Sequence, residues 1–295
     1  VIKLIEKLRG ILDNERTRNK IIKDELLVLK EKYGDERRTE IIKDYKEFAL
    51  EDIIAEEDVV VTISHGGFIK RFPVSGYRRQ GRGGKGVTGA GTKEDDFIEH
   101  MFVASTHQYI LFFTDKGRCY WLKVHEVPEG GRTARGRSVV NLLDKDKDDN
   151  ITAFVAVKEF REDQYLIMAT QKGTIKKTVL AAYGNVRKGG INAINLAAGD
   201  SLIEVKMTDG KNDIVIGTSH GFAIRFNEKD VRDMGRTATG VRGVRLGKGD
   251  HVVGLLVIRN DQTTVLVVTE KGFGKRSDIN DYRITKRGGK GVITV

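Results

Sequence analysis

The chain has 295 residues, a formal charge of +10 and a pI near 9.5, with 34 glycines, two prolines and one cysteine. That length admits about two domains and a sizeable core, and the charge favours a polyanionic partner. The lone Cys119 excludes an internal disulfide and a cysteine-based metal cluster, and no apolar run approaches membrane-spanning length, so a soluble, cytoplasmic protein is expected.

Residues 1–33 carry helical periodicity. Ile2, Ile5, Leu8 and Leu12 share one face, and Ile22, Leu26 and Leu29 share another. Asp13-Asn14 can end one helix and cap the next, and Gly34 is placed to stop the second. The spacing predicts an antiparallel helical hairpin or part of a coiled coil. Charges nearly balance here, so the segment reads as packing and not as a nucleic-acid helix. Residues 39–56 are highly charged and read as a linker.

From residue 57 the pattern changes to short strand-like runs that repeat. Val59–Ile63 leads into Ser64-His65-Gly66-Gly67 and then Phe68–Arg71. Tyr109–Phe113, Tyr165–Ala169, Ile214–Ile216 and Val265–Val268 lead into turns ending at Gly117, Gly173, Gly221 and Gly272. Each unit reads as a hairpin, with positive φ expected at glycines 66, 117, 173, 221 and 272, about 50 residues apart. A period of that length with about four strands per unit is a propeller-type signature, so the fold class is all-β.

After each hairpin comes a basic, glycine-rich loop. The first, Tyr77 to Gly91, reads YRRQGRGGKGVTGAG, and from Val59 to Lys93 there are seven Lys or Arg and no Asp or Glu. The later loops hold Gly131-Arg132-Thr133-Ala134-Arg135-Gly136-Arg137, Arg187-Lys188-Gly189-Gly190, Gly235-Arg236 to Arg242-Gly243, and Lys286-Arg287-Gly288-Gly289-Lys290-Gly291. Glycine lets a backbone approach an anion closely and offer N–H groups beside cationic side chains. A nucleoside-triphosphatase phosphate loop needs Gly, four residues, then Gly-Lys and Ser or Thr. Here Gly84-Lys85 is followed by Gly86 and preceded five positions earlier by Arg79, so that pattern fails twice. A dinucleotide site needs a helix after the glycines, and Val87–Gly91 is a poor helix start. One such loop could be a mobile solvated surface loop; its recurrence in phase with every hairpin predicts a ring of cationic patches.

Gln80 to Gly86, QGRGGKG, resembles the box motif of the DNA gyrase A C-terminal domain: Gln, two basic residues, Gly-Gly, a basic residue, Gly. Glu57–Val61 with Ser64-His65-Gly66 is similar to that domain's first strand and turn, and Tyr33–Thr39 to the end of its preceding coiled coil. Val231-Arg232 to Gly235, followed by Thr239–Gly243, is a further match. The resemblance covers almost the whole chain. It implies a β-pinwheel of six blades, a propeller relative in which neighbouring blades exchange strands, and a rim that wraps DNA for negative supercoiling. It divides the chain into a helical coiled-coil tail (1–38), a linker (39–56) and a pinwheel (57–295). The DNA-binding residues it implies are Arg78, Arg79, Gln80, Gly81, Arg82, Gly83, Gly84, Lys85 and Gly86, then Arg132, Arg135, Arg137, Arg187, Lys188, Arg236, Arg242, Arg245, Lys286, Arg287 and Lys290. Its partners would be double-stranded DNA, the rest of gyrase A, and gyrase B, with ATP and Mg2+ used elsewhere in that heterotetramer and the isolated domain monomeric. Two departures stand out. Gly81 occupies the first basic position of the box, and five hairpin repeats are visible where the family has six.

The remaining features point to no chemistry. Asp144 to Asp149 alternates carboxylates, but a calcium-binding EF-hand loop needs Gly and Glu where Asp149 and Val155 stand. The six histidines show no close metal-ligand pairing, and no tyrosine sits by an acidic metal-binding cluster in a helical context, so no catalytic, metal or cofactor residue is expected. A propeller-like interaction scaffold and the corresponding domain of topoisomerase IV are the alternatives. A scaffold has no need of Arg-Gly chemistry in phase with every hairpin, and the nearly intact box favours gyrase.

Overall fold

The computed structural model describes residues 1–35, 39, 53–77, 91, 96–146, 148–185, 187, 189–260 and 262–295. The chain divides into two compact units, Val1–Ala49 and Leu50–Val295. In the first, helices α1 (Ile2–Asp13) and α2 (Glu15–Tyr33) are separated only by Asn14. The Asn14 side chain caps α2, accepting from the Arg16 N–H at 3.0 Å and the Thr17 N–H at 3.3 Å. Gly34 ends it, donating its N–H to the Lys30 carbonyl at 2.8 Å. No residue of either helix is buried.

The second unit is built from strands β1 (Asp58–Ser64), β2 (Phe68–Pro73), β3 (Ile98–Ser105), β4 (Tyr109–Thr114), β5 (Arg118–Lys123), β6 (Arg137–Ser138), β7 (Ile151–Val157), β8 (Tyr165–Thr170) and β9 (Thr174–Val179). These are followed by β10 (Ile191–Asn192), β11 (Leu202–Thr208), β12 (Asp213–Thr218), β13 (Phe222–Asn227), β14 (Val241–Arg242), β15 (Val252–Ile258), β16 (Thr264–Val268), β17 (Gly274–Asp278) and β18 (Val292–Ile293). They form four antiparallel four-stranded sheets, in the orders β3-β1-β2-β6, β7-β4-β5-β10, β11-β8-β9-β14 and β15-β12-β13-β18, plus the pair β16-β17. Each of the first four hairpins pairs on one side with the long strand of its own repeat. On the other side it takes a two-residue strand from the next repeat, so that β6 follows β5 in the chain yet pairs with β2. This is the blade architecture of a β-pinwheel.

The first strand of each of the first four hairpins is buried on both faces. Ile110 and Phe112 of β4 pack towards Val59, Val61 and Ile63 of β1, while Leu111 and Phe113 pack towards Leu166 and Met168 of β8. The two-residue side-chain period of a strand puts successive residues on opposite faces, so a continuous apolar run such as YILFF feeds two inter-blade layers at once. The same rule places Ile167 and Ala169 against Ile214 and Ile216 in the next layer.

The hairpin glycines link one repeat to the next. Gly117, Gly173, Gly221 and Gly272 have the expected positive φ, but in the first hairpin it is Gly67 (φ 74°) and not Gly66. The cause is turn closure. The fourth turn residue donates its N–H back to the first, Gly67 to Ser64 at 2.9 Å as Gly117 to Thr114 at 2.9 Å. Gly272, whose hairpin receives no exchanged strand among the described residues, does the same to Thr269 at 2.9 Å. The Gly67 carbonyl accepts the Val139 N–H at 2.9 Å, just as the Gly117, Gly173 and Gly221 carbonyls accept from Ala193, Gly243 and Thr294 at 2.8 Å each.

Candidate nucleic-acid interface

The basic loops of the second, fourth and fifth repeats each lie between two attachments to the second strand of the preceding hairpin, and that of the third has the exit pairing of β10 on β5. In the second repeat the Arg71 N–H donates to the Pro128 carbonyl at 3.0 Å and the Gly130 N–H to the Arg71 carbonyl at 3.1 Å. Residues 131–136 then form the loop, and the chain returns as β6 with Arg137 opposite Ile69. The fourth and fifth repeats repeat the entry: the Met234 N–H donates to Lys177 at 2.9 Å and the Thr285 N–H to Arg225 at 2.8 Å. Internal turns close three loops, Ala134 to Gly131, Gly190 to Arg187 and Ala238 to Gly235, at 3.0, 2.8 and 3.1 Å. The exits need glycine. Gly136, Gly190, Gly240 and Gly291 have φ of 87°, 73°, 103° and 86°. A Cβ at these positions would come within 2.3 Å of the Ile69 carbonyl oxygen, 2.5 Å of the Tyr120 ring, 2.7 Å of the Ile175 oxygen and 2.3 Å of the Ala223 oxygen.

Arg135, Arg137, Arg187, Arg242, Arg245, Lys286 and Lys290 are exposed on these loops, and Arg132, Arg236 and Arg287 are half-buried. Among the described residues none of these ten cations forms an ion pair with a carboxylate. Arg287 has a bracing role as well, its Nε donating to the Asp230 carbonyl at 2.8 Å and its Nη1 to that of Arg242 at 3.0 Å. Lys290 Nζ lies 4.4 Å from the centre of the Phe222 ring. Arg78, Arg79, Gln80, Gly81, Arg82, Gly83, Gly84, Lys85, Gly86 and Lys188 lie outside the described residues.

Successive loops touch. The Asn195 N–H donates to the Ala238 carbonyl at 3.3 Å, the Gly288 N–H to Gly243 at 2.6 Å and the Arg245 N–H to Gly289 at 2.8 Å. The segment that leaves one loop is thus bonded to the next loop, and the cations of repeats three, four and five belong to one connected band.

Sequence reading missed a second set of cations, those inside the strands. The cation four residues after the turn glycine is paired with an acid: Arg71 with Glu129 at 3.5 Å, Lys177 with Asp233 at 2.9 Å and Arg225 with Asp213 at 2.7 Å. One position earlier, Lys70 and Lys176 are 2 % and 0 % exposed. Lys70 Nζ donates to the Gly131 carbonyl at 3.0 Å and to that of Arg132. Lys176 Nζ donates to the Ala193 carbonyl at 2.5 Å and to that of Arg236. Burial lowers the pKa of Lys70; burial, with a smaller repulsion from Arg236, pushes Lys176 down to about 8. The available signal was a lysine inside an apolar strand, in Phe68-Ile69-Lys70 and Thr174-Ile175-Lys176. In the acidic stretch Asp149 is buried and meets Lys116 Nζ at 2.9 Å, which braces the loop. No described helix is long and apolar enough to cross a membrane.

A family model described as the DNA gyrase C-terminal domain, beta-propeller, matches residues 58–105, 108–157, 164–209, 212–259 and 263–295. The A subunit of DNA gyrase from Staphylococcus aureus (strain MRSA252) is 46% identical over 297 residues, which is 100% of this chain. The chain spans 34% of the length of that curated relative. Among solved structures, the C-terminal domain of DNA topoisomerase IV has a TM-score of 0.70 at 29% identity, covering 81% of this chain and 73% of that one. The DNA gyrase A C-terminal domain has a TM-score of 0.64 at 27% identity, covering 80% and 76%.

Proposed function

Because the chain belongs to the DNA gyrase C-terminal domain family, we propose that it binds double-stranded DNA along its rim and bends it, serving the negative supercoiling of a gyrase. The observation that carries this reading is the connected band of cationic loops, each leaving through a short strand paired to the second hairpin strand of the preceding blade. Phosphates contacted at successive points of a curved surface hold a duplex in a bend, whereas a single patch only tethers it. Bending 20–30 base pairs by 40–90° costs about 1–6 kcal/mol, which several contacts together can offset. The spread of Arg and Lys over many loops suits contacts to the phosphate backbone, which carry no sequence information directly.

In this reading residues 1–38 are the coiled-coil tail, 39–56 the linker and 57–295 the wrapping domain. The chain contributes no catalytic residue. It works with the rest of gyrase A and with gyrase B, which bring the cleavage chemistry, ATP and Mg2+, on the nucleoid. The test is to relax a plasmid with a topoisomerase in the presence of this protein and then separate topoisomers on a gel. Wrapping leaves a linking-number change. The second reading, the corresponding domain of topoisomerase IV, draws on the TM-score of 0.70; it predicts DNA binding with no such change. An interaction scaffold predicts neither binding nor change.

A further inference from the structure

Two buried lysines stand beneath two of the cationic loops, and they recur with a period of two repeats. Lys70 and Lys176 are each the third residue after the positive-φ turn glycine, Gly67 and Gly173, in the first and third hairpins. The second and fourth hairpins have Tyr120 and Ile224 at that position. The loops above follow the same alternation. The lysines lie under Gly131-Arg132-Thr133-Ala134 and Gly235-Arg236-Thr237-Ala238, which share one sequence. Tyr120 and Ile224 lie under the Gly-Gly loops: a Cβ on Gly190 would come within 2.5 Å of the Tyr120 ring, and one on Gly289 within 3.5 Å of Ile224.

An ammonium group taken out of water without a counter-ion is costly, and an apolar side chain of similar size would be the cheaper filling. No carboxylate among the described residues pairs with either lysine. Each ammonium donates instead to two backbone carbonyls, those of Gly131 and Arg132 for Lys70 and those of Ala193 and Arg236 for Lys176. A carbonyl oxygen bonded to a buried Nζ points into the protein. That matters at an anion-binding surface, where an outward carbonyl would repel a phosphate and the backbone N–H groups and side-chain cations must face the ligand. The buried charge also adds to the positive potential of the loop above it.

We infer that Lys70 and Lys176 are positioning residues for the DNA-binding loops, turning the carbonyls of 131–132 and 236 inward so that Arg132, Arg135 and Arg236 are presented to phosphate. This rests on the DNA reading proposed above, but the anchoring itself can be tested without DNA. The variants are Lys176→Met and Lys70→Met in the whole chain, with Arg236→Ala and the Lys176→Met/Arg236→Ala double. Limited trypsin digestion, mapped by mass spectrometry, should show cleavage after Arg236 about tenfold faster in Lys176→Met, with cleavage after Arg187 and Lys286 unchanged. Lys70→Met should do the same after Arg132 and Arg135. Affinity for a DNA duplex should fall about five- to tenfold in Lys176→Met, as for one lost phosphate contact. Added to Arg236→Ala, the same change should cost little more, because the loop it positions has already lost its cation. Unchanged cleavage after Arg236, or fully additive losses in the double variant, overturns the inference. Should the methionine variants fail to fold, acetylation of the unaltered protein decides: Lys70 and Lys176 must react far more slowly than exposed Lys172, and equal rates overturn it. A wild-type protein that does not bind DNA refutes the DNA reading and leaves the digestion and labelling results to judge the anchoring.

Discussion

Replacing Gly136 with alanine should detach the exchanged strand from the first blade. Gly136 has φ 87°, a conformation that costs an L-residue about 1–2 kcal/mol. Its added Cβ would also lie 2.3 Å from the Ile69 carbonyl oxygen and 2.7 Å from the carbonyl carbon. Both are backbone atoms, so no rotamer change relieves the contact. The two-residue ladder of β6 on β2 and the Val139 N–H bond to Gly67 would weaken together, each bond contributing about 1 kcal/mol. Val139 itself is 2 % exposed in the layer between the first two blades, so a lifted strand also loosens core. The total is about 2–4 kcal/mol, which moves a urea midpoint by about 1 M. Gly131→Ala is the matched control in the same loop, because nothing lies within 4 Å of its added Cβ and its φ is not positive; its stability should stay within about 0.5 kcal/mol of the parent. Equal midpoints for the two variants would refute the argument that strand exchange sets the glycine requirement.

DNA affinity measured by fluorescence anisotropy should fall by about 0.9 log units per log unit of salt for each phosphate contacted, so six to ten contacts give a steep slope and one near −2 contradicts the rim reading. Lys176, with its pKa lowered from 10.5 to about 8, sheds its proton in the folded chain while the unfolded chain still holds one. Stability should therefore rise with pH between about 8 and 10.5, by about 3 kcal/mol, and chemical denaturation of Lys176→Met should show a flatter profile. Deleting residues 1–33 should leave duplex affinity nearly unchanged, since the basic residues of that segment are interleaved with acidic ones and it carries none of the glycine-rich cationic loops. Arg82→Ala with Lys85→Ala, joined to the cleavage core, should keep relaxation and decatenation and lose negative supercoiling, read on agarose gels; equal loss of all three contradicts a wrapping role for the box.

Much of the fold was legible in the sequence because it is encoded locally. A continuous apolar run followed by a turn glycine marks a hairpin wherever it falls, and five such units in phase mark a blade repeat. Strand exchange is not local. β6, β10, β14 and β18 are two residues each, and nothing in Arg137-Ser138 or Val241-Arg242 says which hairpin will receive them. Only the resemblance to a known family supplied that expectation. The slip between Gly66 and Gly67 was avoidable, since Gly67 is the fourth residue of Ser64-His65-Gly66-Gly67 as Gly117 is of Thr114-Asp115-Lys116-Gly117, and it is the fourth residue whose N–H closes the turn. The strand cations were misleading for a further reason. In sequence Lys70 and Arg71 look like part of one basic stretch with Arg78 and Arg79, but the two-residue period turns Lys70 under the loop of the next repeat and sets Arg71 beside Glu129. The helical pair was legible from periodicity, and its apolar stripes are exposed in both helices.

Strand exchange also bears on how a rim of this kind could hold a bent duplex. A bent duplex pushes back, and the stored elastic energy acts on whatever contacts keep it bent. A long free loop would yield to that force, because its cations could follow the DNA as it straightens. The loops of repeats two, four and five are short spans between a hydrogen-bonded entry and a paired exit, both on the preceding blade, so a pull on Arg132 or Arg236 is transmitted to β2 or β9 and not absorbed by the loop. Beneath them sit a lysine ammonium in two repeats and a ring or branched side chain in two others, which stop the loop from sinking inward. Because each loop is carried by the blade before it, the load on one repeat is shared with its neighbour through the same strand that completes the neighbour's sheet. Rigidity at the rim and closure of the blades are then one structural fact, and a substitution that weakens the exchange, such as Gly136→Ala, should weaken a bend before it weakens simple attachment.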